Sequence, residues 1–269
     1  QRVDVGIADG VIVAVAADGV GPGARELDAG GALVSPALIE SHFHLENALL
    51  WDVPNRSGTL EEAIRLYAAI KRDMPADDIM RRASAVLREA VANGVLWLRC
   101  HVDIDRVAGL RILDAILPVR ERFRDLIDVQ VIAFPQHGMA RDPAVVDLMW
   151  AAMERGADLV GGMPHGERDM DDAAQQIEIA FEIARHYDAD IDMHIDETDD
   201  PYWHSLEPLA EQTIANGYQG RVAAGHCCAM AAWDDATAAR IIEKVRDAGV
   251  HVITNAPINL LLEGRHDPQ

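Results

Sequence analysis

The sequence has little positive charge. Only two lysines, Lys71 and Lys244, occur among its 269 residues, and the formal net charge is −21. A charge of this sign disfavours a polyanionic partner such as DNA or RNA, and it gives no attraction to an anionic membrane surface. No window reaches the ~20 apolar residues of a membrane helix, and no signal peptide opens the chain. We therefore expect no nucleic-acid partner and no membrane partner.

Cysteine is also scarce, which argues against a disulfide framework. The three cysteines are Cys100, Cys227 and Cys228; their number is odd, and adjacent cysteines have poor geometry for a bridge. A reducing compartment is the simpler interpretation, so we expect a cytoplasmic protein. The chain begins at Gln1 with a strand pattern already under way, and we expect the natural N-terminus to precede it.

The first 34 residues have the pattern of a small all-β module. Two β-branched segments flank Asp9-Gly10, which is a strong hairpin signal. After residue 34 the sequence alternates between apolar strand segments and amphipathic helix segments. Thr59 to Glu62 form a capping box at one helix start, and Asp142-Pro143 mark another. This alternation indicates βαβ units and a parallel sheet.

Polar side chains recur at the C-terminal ends of seven predicted strands. A closed barrel gathers all of these ends on one face, whereas an open sheet spreads them along a line. The first turn also lacks the glycine-rich loop of an open nucleotide-binding sheet. We therefore predict an α/β fold, a (β/α)₈ TIM-type barrel over residues 35–269, with seven strands present and the eighth missing. The polar residues are His42, His44, His101, Asp103, Gln136, His165, His194, Glu197, His226 and Asn255.

The pair His42-Phe43-His44 is the first candidate for metal binding. Residues two apart in a strand project to the same face, so both imidazoles point together. With His194 they form a three-imidazole set, which is typical of a catalytic zinc site with an open position. A divalent cation held there would lower the pKa of a water molecule, and hydroxide can attack an sp² carbon that carries nitrogen.

Three further residues fit such a reaction. Glu197 lies three residues after His194 and is placed to take a proton from the attacking water and deliver it to the leaving nitrogen. His226 fits either a role in proton transfer or a contact with the substrate oxygen. Gln136 has one donor and one acceptor, which match the amide edge of a heterocycle. His101 and His165 are explained at least as well by hydrogen bonds to loop backbone.

Several segments resemble the amidohydrolase superfamily, and most of all its cytosine deaminase branch, which is related to hydrolases of amino-substituted triazines such as N-isopropylammelide. The resemblance implies a distorted (β/α)₈ barrel with a β-sandwich built from both chain ends, so that residues 1–34 form part of the sandwich and residues 35–269 an incomplete barrel. The segments are Pro36–His44, Phe134–Gly138, Met163–His165, Asp192–Asp200, Gly225-His226 and Asn259–Asp267.

The resemblance also implies a set of site residues. It implies one catalytic divalent metal ion, zinc or iron, held by the His-x-His pair, a histidine after the fifth strand and an aspartate after the eighth. Some members of the superfamily use two metals bridged by a carboxylated lysine on the fourth strand, but neither lysine of this chain lies near that strand. Residue by residue, the match assigns metal binding to His42, His44 and His194, proton transfer to Glu197, a catalytic role to His226 and pyrimidine binding to Gln136.

Two departures from the branch stand out. Glu46 occupies a position where aspartate is usual, and the sequence ends at Gln269 before an eighth strand with its aspartate ligand. We expect a hydrolase of C–N bonds other than peptide bonds, which deaminates a small N-heterocycle such as cytosine. The alternatives are an amino-triazine or cyclic-amide amidohydrolase, and a non-catalytic barrel scaffold or inactive fragment. The expected partner is the small-molecule substrate, and the sequence leaves open whether the protein forms a homo-oligomer.

Overall fold

The computed structural model describes residues 2–50 and 52–263, and the chain divides into two compact units, Gln1–Ala37 and Leu38–Gln269. The first unit contains the antiparallel strands β1 (Asp4–Ala8) and β2 (Val11–Ala16). Between them Asp9 and Gly10 have φ of 52° and 77°, as a two-residue hairpin turn requires. The predicted hairpin is confirmed, while its assignment to a β-sandwich domain over residues 1–34 stays a prediction.

The second unit is built on seven strands that lie in chain order, each parallel to its neighbours. The sheet curves round on itself. This curvature brings the side chain of His42, on the first of these strands, into contact with that of His226 on the sixth. The predicted seven-stranded α/β barrel is confirmed. Its strands are β3 (Leu38–Phe43), β4 (Val95–Asp103), β5 (Asp128–Phe134), β6 (Leu159–Val160), β7 (Asp190–Ile195), β8 (Val222–His226) and β9 (His251–Ile253).

Helices connect successive strands. Among residues 2–50 and 52–263, none is long and apolar enough to cross a bilayer. The two helix starts predicted at Thr59 and Asp142 are confirmed, since these residues are the N-caps of the first and fourth helices, but the short helix after β9 was not predicted. They are α1 (Leu60–Lys71), α2 (Ala76–Ala92), α3 (Arg111–Phe123), α4 (Pro143–Arg155), α5 (Met170–Tyr187), α6 (Leu206–Ala215), α7 (Asp235–Ala248) and α8 (Ala256–Leu262).

The start of α1 shows how far the local signals reach. The Thr59 hydroxyl accepts a hydrogen bond from the Glu62 backbone N–H at 3.3 Å, as the capping box predicts. The second bond of a capping box, from the Thr59 N–H to the Glu62 carboxylate, is absent from the described contacts. The carboxylate accepts instead from the Ser57 N–H at 2.5 Å and from the Ser57 hydroxyl at 2.6 Å. The cap therefore also holds the loop that precedes the helix.

Strand β6 is shorter than the segment 158–163 that its apolar residues suggest. A Cβ at Gly161 would lie 2.7 Å from the Ala133 carbonyl oxygen, and one at Gly162 would lie 2.9 Å from the Met193 sulfur. The chain therefore passes too close to its neighbours for ordinary side chains, and its backbone still bonds to both: the Gly161 N–H donates to the Ala133 carbonyl at 2.8 Å, and the Gly162 carbonyl accepts from the His194 N–H at 2.9 Å. It then forms a 3₁₀ turn over Pro164–Gly166.

The alternation of residues along β4 separates the two sides of the barrel wall. Cys100 and Val102 are fully buried in the apolar core that includes residues of α2 and α3. Side chains alternate between faces in a strand, so His101 and Asp103 project to the opposite side, into the barrel. The interior of the barrel is therefore polar at its C-terminal end, where the candidate site lies.

Candidate active site

Four histidines meet at the C-terminal ends of β3, β7 and β8. His42 lies on β3 and His44 one residue beyond it, while His194 and His226 lie on β7 and β8. The Nε2 atoms of His44 and His194 are 3.1 Å apart, and those of His42 and His226 are 3.2 Å apart. The structure thus brings the three predicted metal histidines together, and it adds His226 to them.

The mutual distances define one tight group within this cluster. Ligand atoms of His42, His194 and His226 all lie within 4.8 Å of one another. His44, which the sequence predicts as a ligand in place of His226, joins the group through its contact with His194. Gly225 makes room for this packing, because a Cβ there would lie 3.3 Å from the His42 Nδ1 atom.

Backbone strain accompanies the two strand ends that carry these residues. Asp196, His226 and Cys227 have φ of 49°, 70° and 55°, a region that residues other than glycine seldom adopt. Asp196 directly follows β7. Its carboxylate holds the chain there by accepting hydrogen bonds from the Ser205 N–H at 2.9 Å, the Ser205 hydroxyl at 2.6 Å and the Leu206 N–H at 3.0 Å. Such strain is typical of functional sites.

The buried imidazoles of the cluster are held in their neutral form. Burial, followed by the charges of His44 and His226, lowers the pKa of His42 to about 2. Burial and the neighbouring imidazoles also lower the pKa of His226 to about 3 and place that of His194 well below its usual value. Neutral imidazole is the form that binds metal. The converging nitrogen lone pairs therefore fit a cation, which would satisfy them together.

The carboxylate of Glu197 is placed beside this cluster. Its Oε1 lies 3.1 Å from the His226 Nδ1 atom, and the side chain is almost fully buried. Burial, followed by the charge of Glu263, raises the pKa of Glu197 well above its usual value. A carboxyl group with a raised pKa can hold and release a proton near neutral pH.

A cavity of about 220 Å³ opens beside this carboxylate. It lies at the same end of the barrel, between the loop before α1, the segment after β7 and the end of α8. Its acidic lining favours a neutral or cationic ligand over an anion. The lining residues are Ser57, Gly58, Thr59, Leu60, Glu61, Glu197, Thr198, Asp199, Leu262 and Glu263.

Gln136 occupies a different position from the histidines. It follows β5 by two residues and is half-buried. Its backbone N–H donates to the Phe134 carbonyl at 3.2 Å, and the Phe134 ring stacks on His194 with centroids 4.2 Å apart. Within the described parts of the chain, its side chain forms no hydrogen bond with the histidine cluster. Residues Gly264 to Asp267 of the segment that resembles the cytosine deaminase branch lie outside the described residues.

His101, one of the polar residues that the sequence places at strand ends, is a member of the cluster. Its explanation by hydrogen bonds to loop backbone is wrong, because neither ring nitrogen has a hydrogen-bond partner among the described residues. Its ring centroid lies 4.4 Å from that of His42 and 4.5 Å from that of His194, and the side chain is fully buried. Its Nε2 is 3.7 Å from the buried carboxylate of Asp192, which accepts a hydrogen bond from Arg99 at 2.8 Å. The alternation of Arg99, His101 and Asp103 in β4 was the available signal.

His165 gives a pH-dependent test of this packing. Both of its ring nitrogens are buried without a hydrogen-bond partner among the described residues, and burial lowers its pKa from 6.5 to about 3. The unfolded chain therefore binds a proton below pH 6.5 that the folded chain does not, so acid favours unfolding. Between pH 7 and pH 5 this histidine alone removes about 2 kcal/mol of stability.

We expect His165→Gln to flatten the pH dependence of stability by that amount. The measurement is the free energy of unfolding in urea at pH 7 and pH 5, on metal-free wild type and variant. The exposed His186→Gln is the control and should keep the wild-type difference between the two pH values. Equal differences for wild type and His165→Gln would contradict the assignment.

Comparison with known proteins places this geometry in a family. The model of the Amidohydrolase family matches residues 81–269. The chain is 31% identical to the N-isopropylammelide isopropyl amidohydrolase of Pseudomonas sp. (strain ADP), over 93% of this chain and 64% of that protein. It is 30% identical to the pterin deaminase of Rhizobium rhizogenes, over 99% of this chain and 61% of that protein.

A solved structure is similar over the whole chain. The 5-methylcytosine deaminase of Klebsiella pneumoniae, liganded with phosphonocytosine, superposes with a TM-score of 0.89 at 33% identity, covering 100% of this chain and 67% of that one. The chain spans about three fifths of the length of the two curated relatives, 64% and 61%. The resemblance found in the sequence motifs is confirmed, and the chain belongs to the amidohydrolase family.

Proposed function

We propose that this protein hydrolyses a C–N bond other than a peptide bond and deaminates a small N-heterocycle such as cytosine. The observation that carries the proposal is the convergence of four imidazoles beside the buried carboxylate of Glu197, whose Oε1 lies 3.1 Å from His226. Neutral nitrogen ligands and an adjacent proton carrier are the two parts that hydrolytic deamination needs. The named activities of the similar proteins support the same class.

We propose that His42, His44 and His194 hold one divalent ion, zinc or iron. The fit rests on the 3.1 Å between the Nε2 atoms of His44 and His194 and on the ligand atoms of His42 and His194, which lie within 4.8 Å of each other. When bound, such an ion supplies Lewis acidity, which lowers the pKa of a water molecule. Neutral N ligands suit both zinc and iron.

The proton transfers fall to the chain's own side chains. Glu197 accepts a proton from the attacking water and delivers it to the leaving nitrogen. His226 lies between Glu197 and His42, and it stabilises the carboxyl group during these transfers or contacts the substrate oxygen. Gln136 binds the amide edge of the heterocycle with one donor and one acceptor.

A second candidate within the same class is removal of an alkylamine from an amino-triazine. The similarity to the N-isopropylammelide amidohydrolase favours it. The leaving group distinguishes the two reactions, since deamination releases ammonia and dealkylamination releases the amine.

For the whole protein we propose a cytoplasmic location, because the three cysteines are free thiols in the structure.

The test measures metal content and product release on the full-length protein. We expect one zinc or iron ion per chain and release of ammonia from cytosine, 5-methylcytosine, isocytosine or a pterin. Release of isopropylamine from N-isopropylammelide would select the second candidate. A chain that binds no stoichiometric metal and turns over none of these compounds would favour a non-catalytic scaffold and refute both.

A further inference from the structure

A buried polar network begins on the far side of the His44 ring from His194. Its members are Glu46, Lys71, Asp103 and Asp105, whose side chains are at most 3% exposed. Lys71 is one of the two lysines of the chain, and charged side chains are almost never buried this fully unless paired. The proton-transfer scheme makes no use of any of the four, so the network needs its own explanation.

Glu46 connects this network to the histidine cluster. Its Oε1 atom lies 3.8 Å from the His44 Nδ1 atom and accepts a hydrogen bond from the Asp103 backbone N–H at 3.3 Å. The His44 Nε2 atom, on the other edge of the ring, lies 3.1 Å from His194. The two nitrogens of one imidazole thus face a carboxylate and the proposed metal position. The second oxygen of Glu46 is buried without a hydrogen-bond partner among the described residues.

Lys71 supplies the positive charge of the network. Its Nζ atom forms ion pairs with Asp103 and Asp105, and it lies 3.1 Å from the His137 Nε2 atom. These two aspartates and the histidine are close enough together to suggest a second metal position. The lysine ammonium already lies against them and neutralises part of their charge, so the group is better explained as a structural ion cluster.

We propose that Glu46 is a positioning residue that keeps the His44 Nδ1 atom protonated, so that the Nε2 lone pair faces the metal. Lys71 and Asp103 hold Glu46 in place, since Asp103 links the lysine to the Glu46 carboxylate. The role rests on the proposed metal site. A carboxylate behind a metal-binding imidazole fixes its tautomer and orientation, and loss of such a partner typically reduces metal affinity or activity by ~10–100-fold.

The first measurement concerns the metal-free protein. Long-range ¹H–¹⁵N spectra report which ring nitrogen of a histidine is protonated, and the His44 signal is assigned by its loss in His44→Gln. We expect a proton on Nδ1 in wild type and in Glu46→Gln, which keeps an acceptor oxygen. In Glu46→Leu, which lacks one, we expect the Nδ1 preference to be lost.

The second measurement is the affinity for Zn²⁺, obtained by competition with a chelator. We expect the dissociation constant to rise ~10–100-fold in Glu46→Leu and less than tenfold in Glu46→Gln. Glu167→Gln is the matched control, because Glu167 is also a buried carboxylate but accepts from Met139, Ala140 and Gln176. Its affinity for Zn²⁺ should equal that of wild type.

The two measurements separate failure of this inference from failure of the proposed function. Wild type that binds no Zn²⁺ would refute the metal site, and the tautomer spectra would still decide the role of Glu46. Wild-type affinity and an unchanged His44 tautomer in Glu46→Leu would overturn the inference alone. If that variant does not fold, the wild-type spectrum decides: a proton on the His44 Nε2 atom instead of on Nδ1 would overturn the inference.

Discussion

Glu197→Gln is expected to abolish turnover while the metal content stays at the wild-type value. The substitution keeps the size and the hydrogen-bonding reach of the side chain but removes its capacity to accept a proton. A positioned general acid–base group contributes ~10²–10⁴-fold to a rate, and here one group is assigned both transfers. We therefore expect kcat to fall by at least the upper part of that range.

Among the described residues, Glu197 is the carboxylate that contacts His226, with its Oε1 3.1 Å from the His226 Nδ1 atom. The charge of Glu263, which lines the same cavity, adds to burial in raising the pKa of Glu197. His226 is neutral at neutral pH because burial lowers its pKa to about 3. It can therefore support the proton on Glu197, but it is a poor acceptor in its place.

The experiment compares kcat, KM and metal content for wild type, Glu197→Gln and Glu182→Gln. Glu182 is exposed on α5, so its replacement should leave all three values unchanged. Near-wild-type turnover in Glu197→Gln with normal metal content would show that another group carries the protons. Loss of metal together with activity would instead indicate that Glu197 acts as a ligand.

The fold was predictable because its signals are periodic and local. Strand segments of alternating character and helices with recognisable caps recur along the chain, and the structure places them in chain order around one sheet. The candidate histidines were predictable for a related reason. Each lies at the end of a strand, and a parallel barrel brings strand ends together whatever the sequence distance between them.

The remaining features depend on contacts between distant residues. Lys71 ends α1 and by composition resembles an exposed helix residue, but it is buried because Asp103, 32 residues later, pairs with it. The sequence places His101 at a strand end, but its ring contacts with His42 and His194 follow from the curvature of the barrel. The glycines at 161 and 162 fit close contacts with the neighbouring strands, where a Cβ would meet Ala133 and Met193. No window of sequence contains these partners.

Replacing His194 by asparagine is expected to remove the metal and, with it, the activity. His42 and His194 belong both to the sequence assignment and to the tight group in the structure. Of the two, His194 has its Nε2 atom 3.1 Å from that of His44, and its ring centroid lies 4.5 Å from that of His42. Asparagine is too short to bring a nitrogen to the same point. We expect a larger loss of metal affinity than the ~10–100-fold that follows removal of an outer partner.

Thermal unfolding separates this effect from simple damage to the fold. A ligand at 100 times its dissociation constant stabilises the folded chain by about 2.7 kcal/mol, which corresponds to a rise in Tm of about 5 to 10 °C for a domain of roughly this size. We expect excess Zn²⁺ to produce this rise in wild type and in His186→Gln, whose side chain is exposed on α5. His194→Asn should unfold at the same temperature with and without Zn²⁺. A full rise in Tm for His194→Asn would mean that the ion binds elsewhere, because a site centred on His194 cannot keep its affinity without that imidazole.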